Sequence, residues 1–357
     1  MSSPYATEPH LNDGNQSDLG IVVAAQANFY QVRLEGSQQQ DILCTRRARL
    51  KKIGQQVMVG DRVRVEEIDG KEGRGAIAEI FPRQTQLQRP RIANTNCILL
   101  LFPLEEPTLD PWQLSRFLIA AESTAIAPCV GLNKKDLISL DRASQWQERL
   151  NNWGYDPIFL SVAMGCGLAQ LTQRLADNTT IVAGPSGAGK SSLIDRLIPD
   201  LQLRVGKVSG KLQRGRHTTR HVQLFELPGG GLIADSPGFN KPDINCDPTQ
   251  LADYFPEARS RLATQNCQFS NCLHRDEPNC AVRGDWERYE HYLQFLEEAI
   301  ARQEARDRTT DADSTLKMKI SDSGRKSYEP RLDSKKYRRR SRRTRNQDLQ
   351  QLYDEEE

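Results

Sequence analysis

The sequence predicts a multidomain protein with three folded parts: an all-β domain, a central α/β domain and a small, mostly helical metal-binding domain. Three observations lead to this prediction. Short β-rich runs broken by turn residues fill the first part of the chain. Continuous apolar strands then alternate with helical segments. Further along, three cysteines and a histidine cluster within fourteen residues, ahead of a basic C-terminal segment.

Length and composition limit the classes of protein that fit. The chain has 357 residues, 37% of them hydrophobic and 27% charged, which suits two or three folded domains. No apolar run approaches the roughly 18 residues that cross a membrane, and the first residues lack the features of a signal peptide. We therefore expect a cytoplasmic monomer with no membrane partner. Five cysteines stand singly and are expected to be small buried side chains: Cys44, Cys97, Cys129, Cys166 and Cys246.

The first folded domain is expected at residues 18–89, after a polar N-terminus (1–17) that is expected to be disordered. About five short strands fit into this length. In one of them Val63 and Val65 alternate with charged residues, so the valines should face a core. This spacing predicts a small β-barrel of the OB-fold type. Such barrels often bind nucleic acid, but a fold alone does not establish a function.

The second domain is expected at residues 90–243 and alternates strands with helices. An all-apolar strand at 97–102 indicates a sheet that is covered on both faces. The pattern predicts an α/β domain around a largely parallel sheet. Further strands are expected at 128–132, 158–162 and 180–183, and helices at 111–123, 141–153, 168–176 and from residue 190.

A phosphate-binding loop is expected between the strand at 180–183 and the helix from Lys190. The run matches G-x-x-x-x-G-K-[ST], in which glycines let backbone amides surround phosphates at a helix N-terminus. Lys190 would reach the β- and γ-phosphates, and the Ser191 hydroxyl would bind magnesium. The alternative, a glycine-rich loop without a ligand, conflicts with the correct flanking elements. The predicted binding residues are Gly184, Pro185, Ser186, Gly187, Ala188, Gly189, Lys190, Ser191 and Ser192.

The nucleotide base is predicted to be guanine. Asn133-Lys134-Lys135-Asp136 follows the strand at 128–132 and matches N-K-x-D. The Asp136 carboxylate can accept the two adjacent N–H groups of guanine, whereas adenine would leave it unsatisfied at a cost of roughly 1–3 kcal/mol. An N-cap role for Asp136 is the alternative. Ser161, after the next strand, begins a loop suited to a backbone contact with the guanine oxygen.

The magnesium side of the site is expected at Asp235-Ser236-Pro237-Gly238, which resembles D-x-x-G. Asp235 would hold the ion through water, and the Gly238 amide would sense the γ-phosphate. Thr218 or Thr219, in a polar loop, could supply a hydroxyl to magnesium. N-K-x-D here precedes the phosphate loop by about fifty residues, the reverse of the order in most GTPases. Because domain termini lie close together, such a circular permutation can preserve the pocket.

The residue that orients the attacking water is not evident. Phe239 occupies the position where many GTPases have glutamine, so slow intrinsic hydrolysis is expected. His217 is a candidate for this role; a simply solvated surface histidine is the alternative.

The metal-binding domain is expected at residues 244–310. Three thiolates and one imidazole suit tetrahedral zinc with no open position, which indicates one structural ion. A disulfide or unrelated thiols are the alternatives. The expected zinc ligands are Cys267, Cys272, His274 and Cys280.

The last segment, 311–357, is expected to be a disordered basic tail. Residues 325–345 contain eleven Lys/Arg and two acidic residues, a local net charge of +9 against +2 for the whole chain. This distribution favours a polyanionic partner, with a merely solvated tail as the alternative.

Together these motifs resemble the ribosome small-subunit-dependent GTPase A family (RsgA, also called YjeQ or YloQ), over residues 19–308. The marks are N-K-K-D, G-P-S-G-A-G-K-S-S, G-R-H-T-T, D-S-P-G-F and the C-x4-C-x-H-x5-C spacing. The resemblance implies GTP hydrolysis on the small ribosomal subunit, contact with its rRNA, and a role in late maturation, with GTP and GDP states controlling association and release. It also implies GTP binding by the two nucleotide motifs and zinc binding by the cysteine cluster.

Two other functions remain open at this stage. One is a GTP-binding rRNA scaffold with negligible turnover, which Phe239 keeps plausible. The other is an ATPase assembly factor, which conflicts with the carboxylate of Asp136.

Overall fold

The computed structural model describes residues 18–36, 41–69, 71–199, 222–235, 242, 244–313, 316–320 and 326–330. Two compact units are present, 1–297 and 298–357. The predictions for His217, Thr218, Thr219 and Gly238 lie outside the described residues, as do those for 1–17 and most of the basic tail.

A closed five-stranded barrel forms the first domain, as predicted. Its strands follow the order β1-β2-β3-β5-β4, and only the β3–β5 pair is parallel. Val63 and Val65 are fully buried, whereas Arg62 before them is exposed and Arg64 between them is partly exposed, which confirms the inward alternation. The elements are β1 (Asp18–Gln26), β2 (Phe29–Leu34), β3 (Asp41–Arg46), α1 (Ala48–Lys52), β4 (Arg62–Asp69) and β5 (Arg74–Ile80).

A short hairpin, β6 (Gln86–Gln88) and β7 (Arg91–Ala93), leads into a six-stranded sheet of order β10-β9-β8-β11-β13-β12. Every strand pair is parallel except β12–β13. All seven residues of β8 are buried, because helices cover both faces of the sheet. The strands are β8 (Cys97–Pro103), β9 (Pro128–Asn133), β10 (Ile158–Phe159), β11 (Thr179–Ala183), β12 (Leu224–Glu226) and β13 (Leu232–Asp235).

The helices of this domain begin where the sequence supplies caps. The Asp110 side chain accepts a hydrogen bond from the Trp112 amide at 3.0 Å, and Ser139 caps the next helix through the Arg142 amide. Parallel strands place all their carboxyl ends at one edge of the sheet, where the nucleotide motifs follow β9 and β11. The helices are α2 (Pro111–Glu122), α3 (Leu140–Asn152), α4 (Leu168–Leu175) and α5 (Lys190–Leu197).

The C-terminal part is largely helical around the cysteine cluster, as predicted. It contains a 3₁₀ helix (Pro248–Tyr254), α6 (Pro256–Thr264) and the long α7 (Tyr289–Asp313). Within 298–357, β14 (Leu316–Ile320) pairs with β15 (Lys326–Pro330) in an antiparallel hairpin. The tail was expected to be disordered with little fixed structure, and ten of its residues pair in this hairpin.

Among the described residues, no helix combines the length and the apolar character needed to span a membrane. Of the five single cysteines four are buried, as expected, but Cys166, in the loop after β10, is exposed.

Candidate functional site: nucleotide pocket and metal centre

The predicted phosphate loop lies between the end of β11 and the start of α5. Close packing requires glycine at both of its ends. A Cβ on Gly184 would lie 2.0 Å from the Leu101 carbonyl oxygen, and one on Gly189 would lie 2.5 Å from Asn133 Nδ2. Both glycines also have positive φ angles, +146° and +90°. The local geometry therefore agrees with the glycine-rich pattern seen in the sequence.

Lys190 opens α5 with its side chain directed back over this loop. Its Nζ atom donates hydrogen bonds to the carbonyl oxygens of Gly184 and Pro185, both at 2.8 Å. The ammonium group thus lies beside the helix N-terminus, where phosphate oxygens are favoured.

Asn133 joins the two nucleotide motifs and the loop after β10. It is 3% exposed at the end of β9. Its Nδ2 atom donates to the Ala188 carbonyl oxygen of the phosphate loop at 2.9 Å. Its Oδ1 atom accepts from the Val162 amide at 3.1 Å. One buried amide side chain therefore fixes the relative positions of segments that are 29 and 55 residues away from it in sequence.

A cavity of about 610 Å³ lies where these three segments meet. Asn133, Lys134 and Asp136 line it from the N-K-K-D segment, and Gly189 and Ser192 line it from the phosphate loop and α5. The rest of the lining consists of Glu106, Leu137, Val162, Ala163, Asp195 and Arg196. Residues from both predicted motifs thus share one cavity, large enough for a nucleoside.

Lys135 and Ser161 are among the predicted GTP-binding residues that do not line this cavity. Lys135 lies outside the cavity lining, with its ammonium 5.7 Å from the centre of the Phe159 ring. Ser161 is buried and shapes the loop: its Oγ atom accepts from the Met164 amide at 3.1 Å, while Val162 and Ala163 line the cavity.

The loop between β8 and α2 forms a wall that motif reasoning missed. Lys134 Nζ donates to the Glu106 carbonyl oxygen, and Glu105 forms an ion pair with Arg142 of α3. A Cβ on Gly187 would lie 3.3 Å from Pro107, so the wall also touches the phosphate loop. The sequence carried no signal for this wall because its residues match no nucleotide motif.

The predicted magnesium side is described only in part. Asp235 ends β13, and its backbone is in register with Val182 of β11, two residues before the phosphate loop. Ser191 lies in the first turn of α5. Of the three predicted magnesium ligands, Ser191 therefore follows β11 and Asp235 ends the neighbouring strand β13, at the same edge of the sheet.

The cysteine cluster is assembled as the sequence predicted. The ligand atoms of Cys267, Cys272, His274 and Cys280 all lie within 4.8 Å of one another. His274 Nδ1 is 3.5 Å from Cys267 Sγ and 3.3 Å from Cys280 Sγ. Three sulfurs and one nitrogen at this spacing can hold one metal ion.

The surroundings support these four side chains as ligands. The Ala281 and Arg283 amides point to Cys267 Sγ and Cys280 Sγ at 3.4 and 3.3 Å, which favours thiolates. Burial lowers the pKa of His274, which keeps the imidazole neutral. Burial raises the pKa of the Cys272 thiol to about 12, so a bound metal would have to displace its proton.

Hydrogen bonds join the metal loop to α7 and brace it internally. The Tyr289 hydroxyl donates to the His274 carbonyl oxygen at 2.9 Å, and the Tyr292 hydroxyl donates to that of Leu273 at 2.7 Å. The Glu277 carboxylate accepts from the Leu273 and Arg275 amides, at 2.7 and 2.9 Å. The cluster is therefore attached to the helix that follows it.

A buried cation joins this part of the chain to the α/β domain. Arg288 is fully buried, and its guanidinium lies 4.8 Å from the Trp153 ring centre and 4.9 Å from that of Phe255. Its Nε atom donates to Glu257 at 2.7 Å. Trp153 belongs to the α/β domain and Phe255 to the C-terminal part, so one charged side chain is shared by both.

A buried histidine lies at the same junction. His291 Nδ1 is 2.8 Å from Ser115 Oγ of α2, and its ring packs edge-on to Trp112 at 4.6 Å. Burial lowers the pKa of His291, and the positive charges of Arg288 and Arg149 lower it further. The neutral imidazole is therefore the form that the junction favours.

Comparison with known proteins agrees with this architecture. The RsgA GTPase family model matches residues 80–245, and the RsgA N-terminal domain model matches residues 19–74. The chain is 58% identical over 361 residues to the small ribosomal subunit biogenesis GTPase RsgA of Trichormus variabilis, covering 95% of this chain and 98% of the relative. It is also 58% identical over 354 residues to the protein of that name from Microcystis aeruginosa, covering 96% and 99%.

Two solved structures share the fold. YjeQ from Thermotoga maritima superimposes with a TM-score of 0.68 at 29% identity, covering 80% of this chain and 100% of that one. YloQ, described as a circularly permuted GTPase, gives a TM-score of 0.68 at 31% identity, covering 83% and 99%. With the barrel, the reordered nucleotide motifs and the cysteine cluster all in place, the chain belongs to the RsgA family of GTP-hydrolysing enzymes.

Proposed function

We propose that this enzyme hydrolyses GTP on the small ribosomal subunit and assists the late maturation of that subunit. The GTP and GDP states would control association and release. The relatives from Trichormus variabilis and Microcystis aeruginosa are named for small-subunit biogenesis, which supports this partner.

The observation that supports GTP as the substrate is the Asn133 bridge. It brings Asp136, which can accept both guanine N–H groups, into one cavity with Gly189 and Ser192 at the phosphate end. The Lys134 stem would cover one face of the base. Lys190 would exchange its carbonyl partners for the β- and γ-phosphates.

Magnesium would be held by Ser191 and Thr219, with Asp235 acting through water, and would neutralise charge on the transferred phosphate. Thr218 is the alternative hydroxyl, and the Gly238 amide would sense the γ-phosphate. The position of Asp235 beside β11 supports its part in this proposal.

His217 is proposed to orient the attacking water, since Phe239 cannot. His217→Ala should abolish subunit-stimulated turnover and leave GTP affinity intact. Unchanged stimulated turnover would remove His217 from the mechanism.

The metal of the cysteine cluster is proposed to be one structural zinc ion. Three thiolates and an imidazole match zinc, and four protein ligands leave no position for a reacting water. Elemental analysis of protein purified without added metal should find about one zinc per chain.

A basic cleft supports contact with rRNA. A cavity of about 1310 Å³ beside the barrel is lined by Arg46, Lys51, Arg89 and Arg91, and none of the described residues that line it is acidic. Cations grouped in this way suit a phosphate backbone, and the basic tail would add affinity that falls steeply with salt. The cations of the cleft and of the basic tail are proposed to neutralise rRNA phosphates.

The decisive assay is phosphate release from GTP, measured with and without purified small subunits. Stimulation by small subunits and none by large subunits is expected. Equal rates in all three conditions would refute the ribosomal role while leaving GTP binding untouched.

A further inference from the structure

One face of α5 lines the nucleotide cavity beyond the end of the phosphate-loop motif. Ser192, Asp195 and Arg196 all line the cavity, and their spacing of three and four residues places them on one side of the helix. Ser192 belongs to the phosphate loop sequence. Asp195 and Arg196 lie one turn further along and bring two charged side chains to the same cavity.

Arg196 reaches the loop that follows β10. A Cβ built on Gly165 would lie 3.2 Å from Arg196 Nη2, so the guanidinium rests against the backbone of a residue with φ of +75°. Gly165 comes two residues after Ala163, which lines the cavity. Within the part of the chain that the structure describes, Arg196 forms no hydrogen bond or ion pair with the protein. Its donors therefore remain available to a ligand.

The position of Arg196 favours the base over the phosphates. The α5 helix begins at Lys190, and six residues at 1.5 Å each carry Arg196 about 9 Å along the axis from that phosphate-binding end. At that distance it approaches the loop that contains Gly165, which directly follows the cavity-lining residues Val162 and Ala163. A bound base would extend toward this loop.

The chemistry of the base selects an arginine at this point. Guanine presents two acceptors, O6 and N7, along one edge, and the guanidinium fork matches them with two parallel donors. Adenine replaces O6 with an amino group, which would face the guanidinium donor to donor. Asp136 would read the opposite, N–H bearing edge.

We propose that Arg196 is a specificity-determining residue that donates to O6 and N7 of the guanine of GTP. This inference rests on the proposed function, since it requires GTP in this cavity. Arg196 would then donate hydrogen bonds to one edge of the base, and Asp136 would accept hydrogen bonds from the opposite edge.

Equilibrium titration of the full-length protein with GTP and with 7-deaza-GTP, which lacks the N7 acceptor, tests the proposal. The wild type should bind 7-deaza-GTP more weakly than GTP. Arg196→Ala should weaken GTP binding about tenfold, in the range of a bidentate arginine–guanine contact, and should lose most of the discrimination against 7-deaza-GTP. Arg49→Ala, which removes an exposed arginine on α1 of the barrel, is the matched control and should bind like the wild type.

Arg196→Lys keeps the positive charge without the fork, and it should bind GTP more weakly than the wild type. The proposal is overturned if this variant restores full affinity, or if Arg196→Ala discriminates between the two nucleotides as strongly as the wild type does. Failure of the wild type to bind GTP at all would instead refute the proposed function.

Discussion

Replacement of Asn133 tests how the reordered segments form one pocket. Its side chain makes two hydrogen bonds, to the Ala188 carbonyl at 2.9 Å and from the Val162 amide at 3.1 Å. Each is worth about 0.5–1.5 kcal/mol net, so Asn133→Ala should remove about 1–3 kcal/mol of the energy that holds the loops together. If GTP binding must restore that arrangement, the dissociation constant should rise roughly 5- to 150-fold.

Asn133→Asp refines the test. A carboxylate can still accept from the Val162 amide, but it loses the donor to the Ala188 carbonyl and places two acceptors against each other. This variant should therefore bind GTP no better than Asn133→Ala. Titration with a fluorescent GTP analogue measures the affinities, and circular dichroism verifies that each variant is folded. Asn151→Ala, an exposed change on α3, is the control.

Binding of GTP by folded Asn133→Ala within twofold of the wild type would contradict this role of the Asn133 side chain. In that case the loops would hold their positions without the bridge.

Three further predictions concern the C-terminal part. Arg288→Met should lower the free energy of unfolding in urea by about 3–5 kcal/mol, because it leaves the Glu257 carboxylate, which is only 11% exposed, without its partner. Adding Glu257→Met should recover most of the loss, and no recovery would contradict the ion-pair account. Cys280→Ser should lose the bound metal and have a lower melting temperature than the wild type. Cys166→Ser, at an exposed position, should keep the metal content and the melting temperature of the wild type. Equal metal content in the two variants would contradict metal binding by the cysteine cluster. His291 has a lowered pKa in the folded state, so its contribution to stability should be complete above about pH 6.5 and should decline as the pH falls further. His291→Gln should flatten this pH dependence of the urea midpoint. A variant whose urea midpoint varies with pH as that of the wild type does would contradict a role for His291.

Much of the architecture could be predicted because its signals are local. The apolar run of β8 and the alternation of Val63 and Val65 with charged residues predict buried strands directly. The phosphate loop was recognisable because a strand precedes it and a helix follows it, and the metal ligands because their spacing is short.

Other features depend on contacts between distant segments, which no local pattern encodes. Lys135 belongs to a nucleotide motif, yet its ammonium lies 5.7 Å from the centre of the Phe159 ring and the residue does not line the cavity. Glu106 and Arg196 line the cavity without matching any motif. Arg288 reads as an ordinary charged residue in sequence, and only the folded chain encloses it between aromatic rings from two domains.

The most direct test of the account exchanges the base preference at Asp136. Affinities of wild-type protein and Asp136→Asn should be measured for GTP and for xanthosine triphosphate, with magnesium present. Xanthine carries a carbonyl where guanine has an amino group, so an amide side chain should favour it. The wild type should prefer GTP and the variant should prefer xanthosine triphosphate. If the variant keeps its preference for GTP, Asp136 does not read the base of the bound nucleotide, and the pocket described here is not where guanine binds.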